Sequence, residues 1–157
     1  AQKFGRFALK NLFLTGAPGL GKTFLSACIA RTVSENGHSV VYDTAGNVFA
    51  QFEARKFLRD SDDGREARDE TRRYLGCDLL ILDDLGSELT TPFVQSALYT
   101  LVNARLMADK RTVISSNLSM DEVRRRYTGQ IASRLEGEYR VLPFYGEDIR
   151  LLRKQRL

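Results

Sequence analysis

The sequence has few of the residues that build metal centres, disulfide frameworks or membrane spans. Its 157 residues include two cysteines, one histidine, three prolines and no tryptophan. No apolar run approaches the roughly 18 residues that a membrane-spanning helix needs, and the first residues carry no signal-peptide pattern. We therefore expect a cytoplasmic protein without a membrane partner, of a length that suits one domain with a real core.

The two cysteines and the histidine do not suggest a site. Cys28 and Cys77 lie in apolar or helical contexts, which predicts two small core residues in a reducing compartment rather than a disulfide. His38 follows a glycine in a predicted turn. One histidine with two distant cysteines does not match the ligand spacing of a zinc site.

The net charge of +4 mildly favours anionic partners. Basic residues gather at 124–126 and in the tail at 150–157, whereas acidic residues gather in the segment 59–70. A solvated surface and contact with nucleic acid both explain this pattern, and the composition does not separate them.

Strand and helix patterns alternate along the chain. This alternation predicts a parallel sheet covered by helices on both faces. The predicted strands are 12–16, 39–43, 79–83, 111–117 and 140–145, and the predicted helices are 23–37, 46–58, 64–75, 92–108, one opening at 119–122 and 128–137, with a further helix beginning near 147. Pro143 predicts that the last strand lies at an edge or ends there.

The segment GAPGLGKT, residues 16–23, matches G-x-x-x-x-G-K-[ST] between a predicted strand and a predicted helix. Its glycines let backbone N–H groups surround phosphates, and the positive end of the following helix adds to that field. Lys22 is expected to reach the β- and γ-phosphates, and the Thr23 hydroxyl to ligate Mg²⁺. The alternative is a glycine-rich turn with a solvated lysine.

The segment LLILDD, residues 79–84, runs from four apolar residues into two carboxylates. An unpaired buried charge is costly, so a partner is expected. P-loop proteins hold Mg²⁺ between the loop Ser/Thr and an Asp at the end of a second strand, and Asp83 fits that Asp. Asp84 can then orient and deprotonate the attacking water, which favours hydrolysis over phosphoryl transfer. The alternative is that Asp84 caps the next turn.

Two further polar residues in later predicted elements are candidates for the site. Asn117 ends the fourth predicted strand, at the sheet edge where open α/β folds bind ligands, and is placed to contact the γ-phosphate or the water. Arg134 projects from a short predicted helix whose apolar residues pack inward. It is either a solvated arginine or an arginine finger, which neutralises transition-state charge, often from a neighbouring subunit.

These assignments give one predicted site for phosphates with Mg²⁺. Asp84, Asn117 and Arg134 are the predicted catalytic residues, and Thr23 and Asp83 the predicted metal ligands. The predicted nucleotide-binding residues are Gly16, Ala17, Pro18, Gly19, Leu20, Gly21, Lys22, Thr23, Phe24 and Asp83.

The P-loop, LLILDDLG, SSN and SRLEG, in this order, resemble the AAA+ ATPases. More narrowly, the chain is similar over nearly its whole length to the DnaC/DnaI-type replicative helicase loaders and their transposition relative IstB. The resemblance implies an α/β, P-loop NTPase three-layer sandwich with a five-stranded parallel sheet in the order 5-1-4-3-2. It also implies that the ligand is ATP or ADP, that Arg134 acts in trans through self-association, that residues 1–157 form a single AAA+ domain, and that the helicase-binding part of a loader is absent.

The same resemblance implies a replicative DNA helicase and single-stranded DNA as partners. The helices at about 46–75 correspond to an insertion associated with single-stranded DNA, where Arg55, Lys56 and Arg59 are candidate contacts. Two departures bear on activity. Asp84 is one methylene shorter than the usual Glu, which implies slow or partner-dependent hydrolysis, and the helical lid is truncated, with Arg150 as the nearest nucleotide-sensing arginine.

Three other functions stay open on the sequence. An IstB-like transposition helper would favour duplex DNA and a transposase. A small-molecule P-loop kinase would transfer phosphate to an acceptor, although Asp84 and Arg134 count against it. A nucleotide-binding scaffold without turnover remains if Asp84 is only a cap.

Overall fold

The computed structural model describes the backbone of residues 11–155 and the side chains of residues 11–152. The strands are β1 (Asn11–Thr15), β2 (Val40–Thr44), β3 (Leu79–Leu85), β4 (Arg111–Ser116) and β5 (Tyr139–Pro143). The helices are α1 (Lys22–Glu35), α2 (Ala45–Phe57), α3 (Asp62–Gly76), α4 (Pro92–Met107), α5 (Met120–Arg126), α6 (Gly129–Glu138) and α7 (Ile149–Gln155). Part of the basic tail lies outside the described residues.

The five strands form one parallel sheet in the order β2-β3-β4-β1-β5. This is the predicted order 5-1-4-3-2 read from the opposite edge, so the predicted topology is confirmed. β5 is an edge strand that ends at Pro143, where the missing N–H breaks no inner ladder.

Both faces of the central strand are buried, because helices cover the sheet on each side. Leu79 and Ile81 of β3 pack on the face that α1 covers, with Val33 among their neighbours. Leu80 and Leu82 pack on the other face, in the larger core that α2 to α6 complete. The run without polar alternation in β3 therefore reflects a strand covered on both sides.

The boundaries differ from prediction in places that have physical causes. α3 begins at Asp62 rather than residue 64, because Ser61 caps it by accepting a hydrogen bond from Gly64 N at 3.1 Å. Asp62 and Asp63 therefore belong to the first helical turn, where carboxylates are favourable. The capping box predicted at 119–122 is present at the start of α5.

One core prediction is wrong. Cys28 is exposed on α1, whereas Cys77 is buried as predicted, and both are free thiols. The apolar pattern of the helix is satisfied by Val33 and by the half-buried Leu25 and Ile29, so Cys28 faces outward.

Candidate active site

The glycine-rich loop joins β1 to α1 and closes around the side chain of Lys22. Gly19 and Gly21 have φ values of 78° and 91°, a conformation that other residues adopt only with strain. Lys22 is only 7% exposed, and its Nζ donates hydrogen bonds to Gly16 O at 2.5 Å and Ala17 O at 2.7 Å. The ammonium therefore lies inside the loop, where a bound phosphate would meet it.

The amino end of α1 differs from the other long helices of the described chain. Each helix from α2 to α6 begins with a Ser or Thr whose side chain accepts a hydrogen bond from a first-turn N–H. α1 instead begins after Gly21, with no side-chain cap and no acidic residue in its first turn. Its first N–H groups are thus available to an anion from outside the chain.

Asp83 is buried at the carboxyl end of β3 and accepts three hydrogen bonds. Thr23 Oγ1 donates to Oδ1 at 3.3 Å, and Ser115 Oγ donates to the same oxygen in a short bond. Tyr42 OH donates to Oδ2 at 2.8 Å. Burial, followed by this bond, raises the pKa of Tyr42, so the phenol remains a donor.

Asp84 has a backbone conformation that exposes its side chain. Its φ of 59° lies in the left-handed region, and its N–H donates to Ser115 Oγ at 3.0 Å. Its carbonyl, not its carboxylate, receives the turn hydrogen bonds from Ser87. Within the described residues, no hydrogen bond occupies the Asp84 carboxylate, so the cap alternative has no support in the geometry.

These groups converge on one cavity of about 660 Å³. Asn117, just after β4, and Arg150, in the first turn of α7, complete its polar lining. The full lining is Pro18, Gly19, Gly21, Lys22, Thr23, Phe24, Thr44, Asp83, Asp84, Ser115, Asn117, Ile149 and Arg150.

The cavity has a mixed electrostatic character. Burial lowers the pKa of Lys22, while the nearby carboxylates of Asp84 and Asp83 oppose that shift and Arg150 adds to it. Lys22 and Arg150 provide phosphate-binding charge, and Asp83 and Asp84 provide cation-binding charge.

The donor set fits Mg²⁺. The described residues contain no cluster of three or more His, Cys, Asp or Glu that could hold a metal alone. Thr23 and Asp83 offer two neighbouring oxygen donors at the phosphate-binding loop. Mg²⁺ is commonly bound in this way, through one or two protein oxygens together with substrate phosphates and water.

Most residues predicted for the site line the cavity, and two groups of predicted residues do not. Ala17, Leu20 and Gly16 belong to the loop but do not line the cavity. Arg134 is exposed on α6, which packs through Ile131, Ala132 and Leu135, and it is also outside the cavity lining.

Three strand residues in or beside the cavity were not predicted as site residues, and neither was Ile149 of α7. Tyr42 and Thr44 come from β2, and Ser115 precedes Asn117 in β4. Thr44 is the register partner of Asp83, and the alternation of side chains along a strand then directs Tyr42 to the same face. Only knowledge of the strand pairing could have found these three strand positions.

A second cavity, of about 810 Å³, lies between α2, α3 and α4. Its basic residues include the predicted contacts Arg55, Lys56 and Arg59, together with Arg68. Phe52 and Phe93 also line it. Lys56 Nζ lies 5.2 Å from the ring centroids of both Phe57 and Phe93, within the range of cation–π attraction.

Comparison with known proteins places the chain in a family. A family model described as "IstB-like ATP binding protein" matches residues 6–156. The chain belongs to the IstB-like ATP-binding family. The predicted relationship is thereby confirmed. A glycine-rich phosphate-binding loop, such as the one in this IstB-like chain, is expected of a family described as ATP-binding.

Replication proteins are among the relatives. The replicative helicase loader DnaI of Bacillus subtilis (strain 168) is 30% identical over 122 residues, which cover 76% of this chain and 37% of DnaI. A crystal structure of the DnaC helicase loader has a TM-score of 0.70 at 20% identity, covering 87% of this chain and 78% of that one. A structure of the replication initiator DnaA bound to AMPPCP and single-stranded DNA has a TM-score of 0.72 at 22% identity, covering 88% of this chain and 41% of that one.

The two structural likenesses confirm the predicted AAA+ P-loop fold. The IstB-like chain spans less than half the length of the first curated relatives it matches, 48%, 37% and 24%. Among the described helices, none combines the length and apolar character required to cross a bilayer.

Proposed function

We propose that this chain binds ATP with Mg²⁺ and hydrolyses it slowly, as the cytoplasmic ATPase domain of a replicative helicase loader. The observation that supports this most directly is the convergence of the P-loop, Asp83, Asp84 and Asn117 on one cavity at the carboxyl edge of the sheet. Its volume lies within the roughly 300–1,000 Å³ typical of small-molecule sites.

The phosphates of ATP would bind at the loop and the start of α1. The uncapped N–H groups of α1 point to the space in front of the helix, where an anion is favoured. Lys22 would exchange the carbonyl oxygens of Gly16 and Ala17 for phosphate oxygens. That exchange gives the buried ammonium an anionic partner in place of two neutral ones.

Thr23 and Asp83 would hold Mg²⁺. When bound, the ion supplies positive charge to the β- and γ-phosphate oxygens. The Thr23 hydroxyl donates a hydrogen bond to Asp83, so the lone pairs of its oxygen remain directed away from that carboxylate.

Asp84 would accept the proton of the water that attacks the γ-phosphate. Its carboxylate lines the cavity and receives no hydrogen bond from the described residues, so it is available to a water. Asn117 would orient the same water or the γ-phosphate. Arg134, which lies outside this cavity, would complete the site of a neighbouring copy in an assembly.

Single-stranded DNA would bind at the cavity between α2, α3 and α4. Cationic side chains there can follow phosphates, while the exposed ring of Phe57 and the half-buried ring of Phe93 offer stacking surfaces. This combination favours a helicase loader over an IstB-like transposition helper acting on duplex DNA, because bases must be unpaired to stack on aromatic rings. A pull-down against a replicative helicase and a transposase distinguishes the two partners.

Phosphate release measured with and without single-stranded DNA tests the proposed activity. We expect slow release that single-stranded DNA increases. Asp84→Asn should lower release by about 10²–10⁴-fold, the usual contribution of a general base, while leaving ATP affinity unchanged.

Asp109→Asn is the matched control, because Asp109 also has a left-handed φ, of 53°, and is exposed. It should release phosphate like the parent chain. Transfer of phosphate to an added small acceptor would favour a kinase, and ATP binding without any release would favour a scaffold.

A further inference from the structure

The hydroxyl of Tyr42 is directed at the buried carboxylate of Asp83 in the proposed nucleotide site. Tyr42 is 38% exposed, so part of the residue reaches solvent. The OH nevertheless donates to Asp83 Oδ2 at 2.8 Å. The hydroxyl of a partly exposed tyrosine is therefore held by a buried carboxylate.

The sheet register brings the two residues together. Tyr42 pairs with Ile81, two residues before Asp83 in β3. Paired residues of parallel strands share a face, and Ile81 lies on the face covered by α1. Tyr42, Asp83 and Thr23 of α1 therefore meet on that face, at the edge where the loop opens.

The hydrogen bond from Tyr42 occupies one of the acceptor positions of the Asp83 carboxylate. A carboxylate offers about four lone-pair positions, two on each oxygen. Thr23 and Ser115 both donate to Oδ1, and Tyr42 donates to Oδ2. The three donors, from α1, β4 and β2, fix the plane of the carboxylate and leave one position on Oδ2.

We propose that Tyr42 is a positioning residue for Mg²⁺, which acts by orienting the Asp83 carboxylate so that its remaining lone pair faces the metal or a metal-bound water. This inference rests on the proposed nucleotide binding. Groups that orient a metal ligand through a hydrogen bond typically contribute 10- to 100-fold to metal affinity. Without the Tyr42 donor, Asp83 keeps two bonds on Oδ1 and can rotate about them.

The test is a Mg²⁺ titration of the binding of a fluorescent ATP analogue to the full chain, compared between the parent and Tyr42→Phe. The substitution removes one hydroxyl at a partly exposed position and keeps the ring. We expect the half-saturating Mg²⁺ concentration to rise about 10-fold, while binding of the analogue in EDTA stays at the parent level.

Two tyrosines provide controls. Tyr145→Phe removes a hydroxyl at an 87% exposed position. Tyr74→Phe removes the OH that donates to Asp43 Oδ2 at 2.7 Å, on the opposite face of the same strand end as Tyr42. Both should keep the parent Mg²⁺ requirement, and a shift in Tyr74→Phe equal to that of Tyr42→Phe would overturn the assignment by showing a general effect of loosening β2.

The outcomes separate this inference from the proposed function. An unchanged Mg²⁺ titration in Tyr42→Phe overturns the role of Tyr42, and so does a lower requirement, which would mean that the phenol competes with the metal. Failure of the parent chain to bind the analogue with Mg²⁺ would instead overturn the proposed nucleotide binding itself.

Discussion

At the residue scale, Asp83 is held by donors from three elements of the fold. Thr23 lies in the first turn of α1, Tyr42 in β2 and Ser115 in β4. A shift of any one of these elements therefore changes the position of the Asp83 carboxylate, which accepts hydrogen bonds from all three. Ser115 also accepts a hydrogen bond from Asp84 N. One hydroxyl therefore links the side chain of the first aspartate to the backbone of the second.

Replacing Ser115 with Ala should impair both stability and activity. Ser115 is 2% exposed, and its loss leaves Asp84 N and one acceptor position of Asp83 unpaired. We expect the free energy of unfolding to fall by about 1–3 kcal/mol. Turnover should fall by about 10-fold or more. Urea denaturation and phosphate release measure the two effects.

Ser116→Ala is the matched control, since Ser116 is also buried and its Oγ makes two hydrogen bonds, to Leu85 O and from Leu118 N. It should lose comparable stability and keep its turnover. If both variants lost turnover equally, the link through Ser115 would have no specific role.

The motif residues were predictable because their chemistry depends on local spacing. Lys22 and Thr23 follow the glycines in a fixed order, and Asp83 directly follows a recognisable run of buried apolar residues. Tyr42 and Ser115 were not predicted as site residues, because their roles depend on which residue of a neighbouring strand lies beside Asp83. That register is set by tertiary packing, which one sequence does not display.

At the element scale, Asp78 ties together the amino ends of three strands. Ser39 N and Oγ, before β2, donate to Asp78 Oδ2 at 3.0 and 2.9 Å. Lys110 Nζ, before β4, donates to Oδ1 at 2.9 Å. The Lys110 hydrogen bond, followed by those from Ser39, lowers the pKa of Asp78 to about 2 from an ordinary value of 3.8.

This cluster should contribute stability that acid removes. A depressed pKa means that the contribution is complete above pH 3.8 and is lost as the pH falls towards 2. We expect Asp78→Asn to lower the free energy of unfolding by about 1 kcal/mol at neutral pH, a value reduced for solvent screening of a partly exposed group. Chemical denaturation at several pH values measures the difference, which should shrink towards pH 2.

The control is Asp121→Asn. The Asp121 side chain is 82% exposed and, within the described part of the chain, pairs only with Arg124, one turn away on α5. Its effect should be small and should not follow the pH range of Asp78. A difference between Asp78→Asn and the parent that persisted at pH 2 would contradict the electrostatic explanation.

The helices α2 and α3 carry the proposed DNA site, and a charge reversal tests it. Lys56→Glu should weaken single-stranded DNA binding by about 10-fold or more at low salt. It should also reduce the salt slope by about 0.7 for each phosphate that the variant no longer neutralises. Fluorescence anisotropy at several salt concentrations measures both quantities.

Arg31→Glu makes the same change in net charge on α1. Among the residues that the structure describes, Arg31 pairs only with Glu35, and its side chain is 81% exposed. DNA binding should be weakened less, and the salt slope should stay at the parent value. Equal losses in the two variants would indicate attraction by overall charge and would remove the assignment of the site.

At the scale of the whole molecule, a polar network joins the loop after β3 to the helices that carry Arg134. Glu88 accepts hydrogen bonds from Gly86 N at 2.9 Å and from Tyr127 OH in a short bond. Arg126 Nη2 donates to Glu88 O at 2.6 Å. The loop beside Asp84 therefore rests on the α5–α6 junction, which positions the surface that Arg134 would present to another copy under the proposed function.

The overall topology was predictable, because alternating strand and helix segments with buried runs leave few parallel arrangements. The way in which α6 would contribute to a nucleotide site was not predictable. Arg134 is outside the cavity of its own chain, so its proposed role requires a second copy, whose position follows from surface shape rather than from local pattern.

Mixing two inactive variants tests that role directly. Arg134→Ala should keep the ATP affinity of the parent and lose the part of its turnover that rises with protein concentration, by a factor on the order of 10³ if Arg134 acts as a finger. Asp84→Asn keeps Arg134 but lacks the proposed base. A mixture of the two should recover part of the parent turnover, because each interface can pair an intact site with an intact arginine. Arg125→Ala, an exposed arginine of α5, should behave as the parent, and a mixture with no recovery would show that Arg134 does not act across copies.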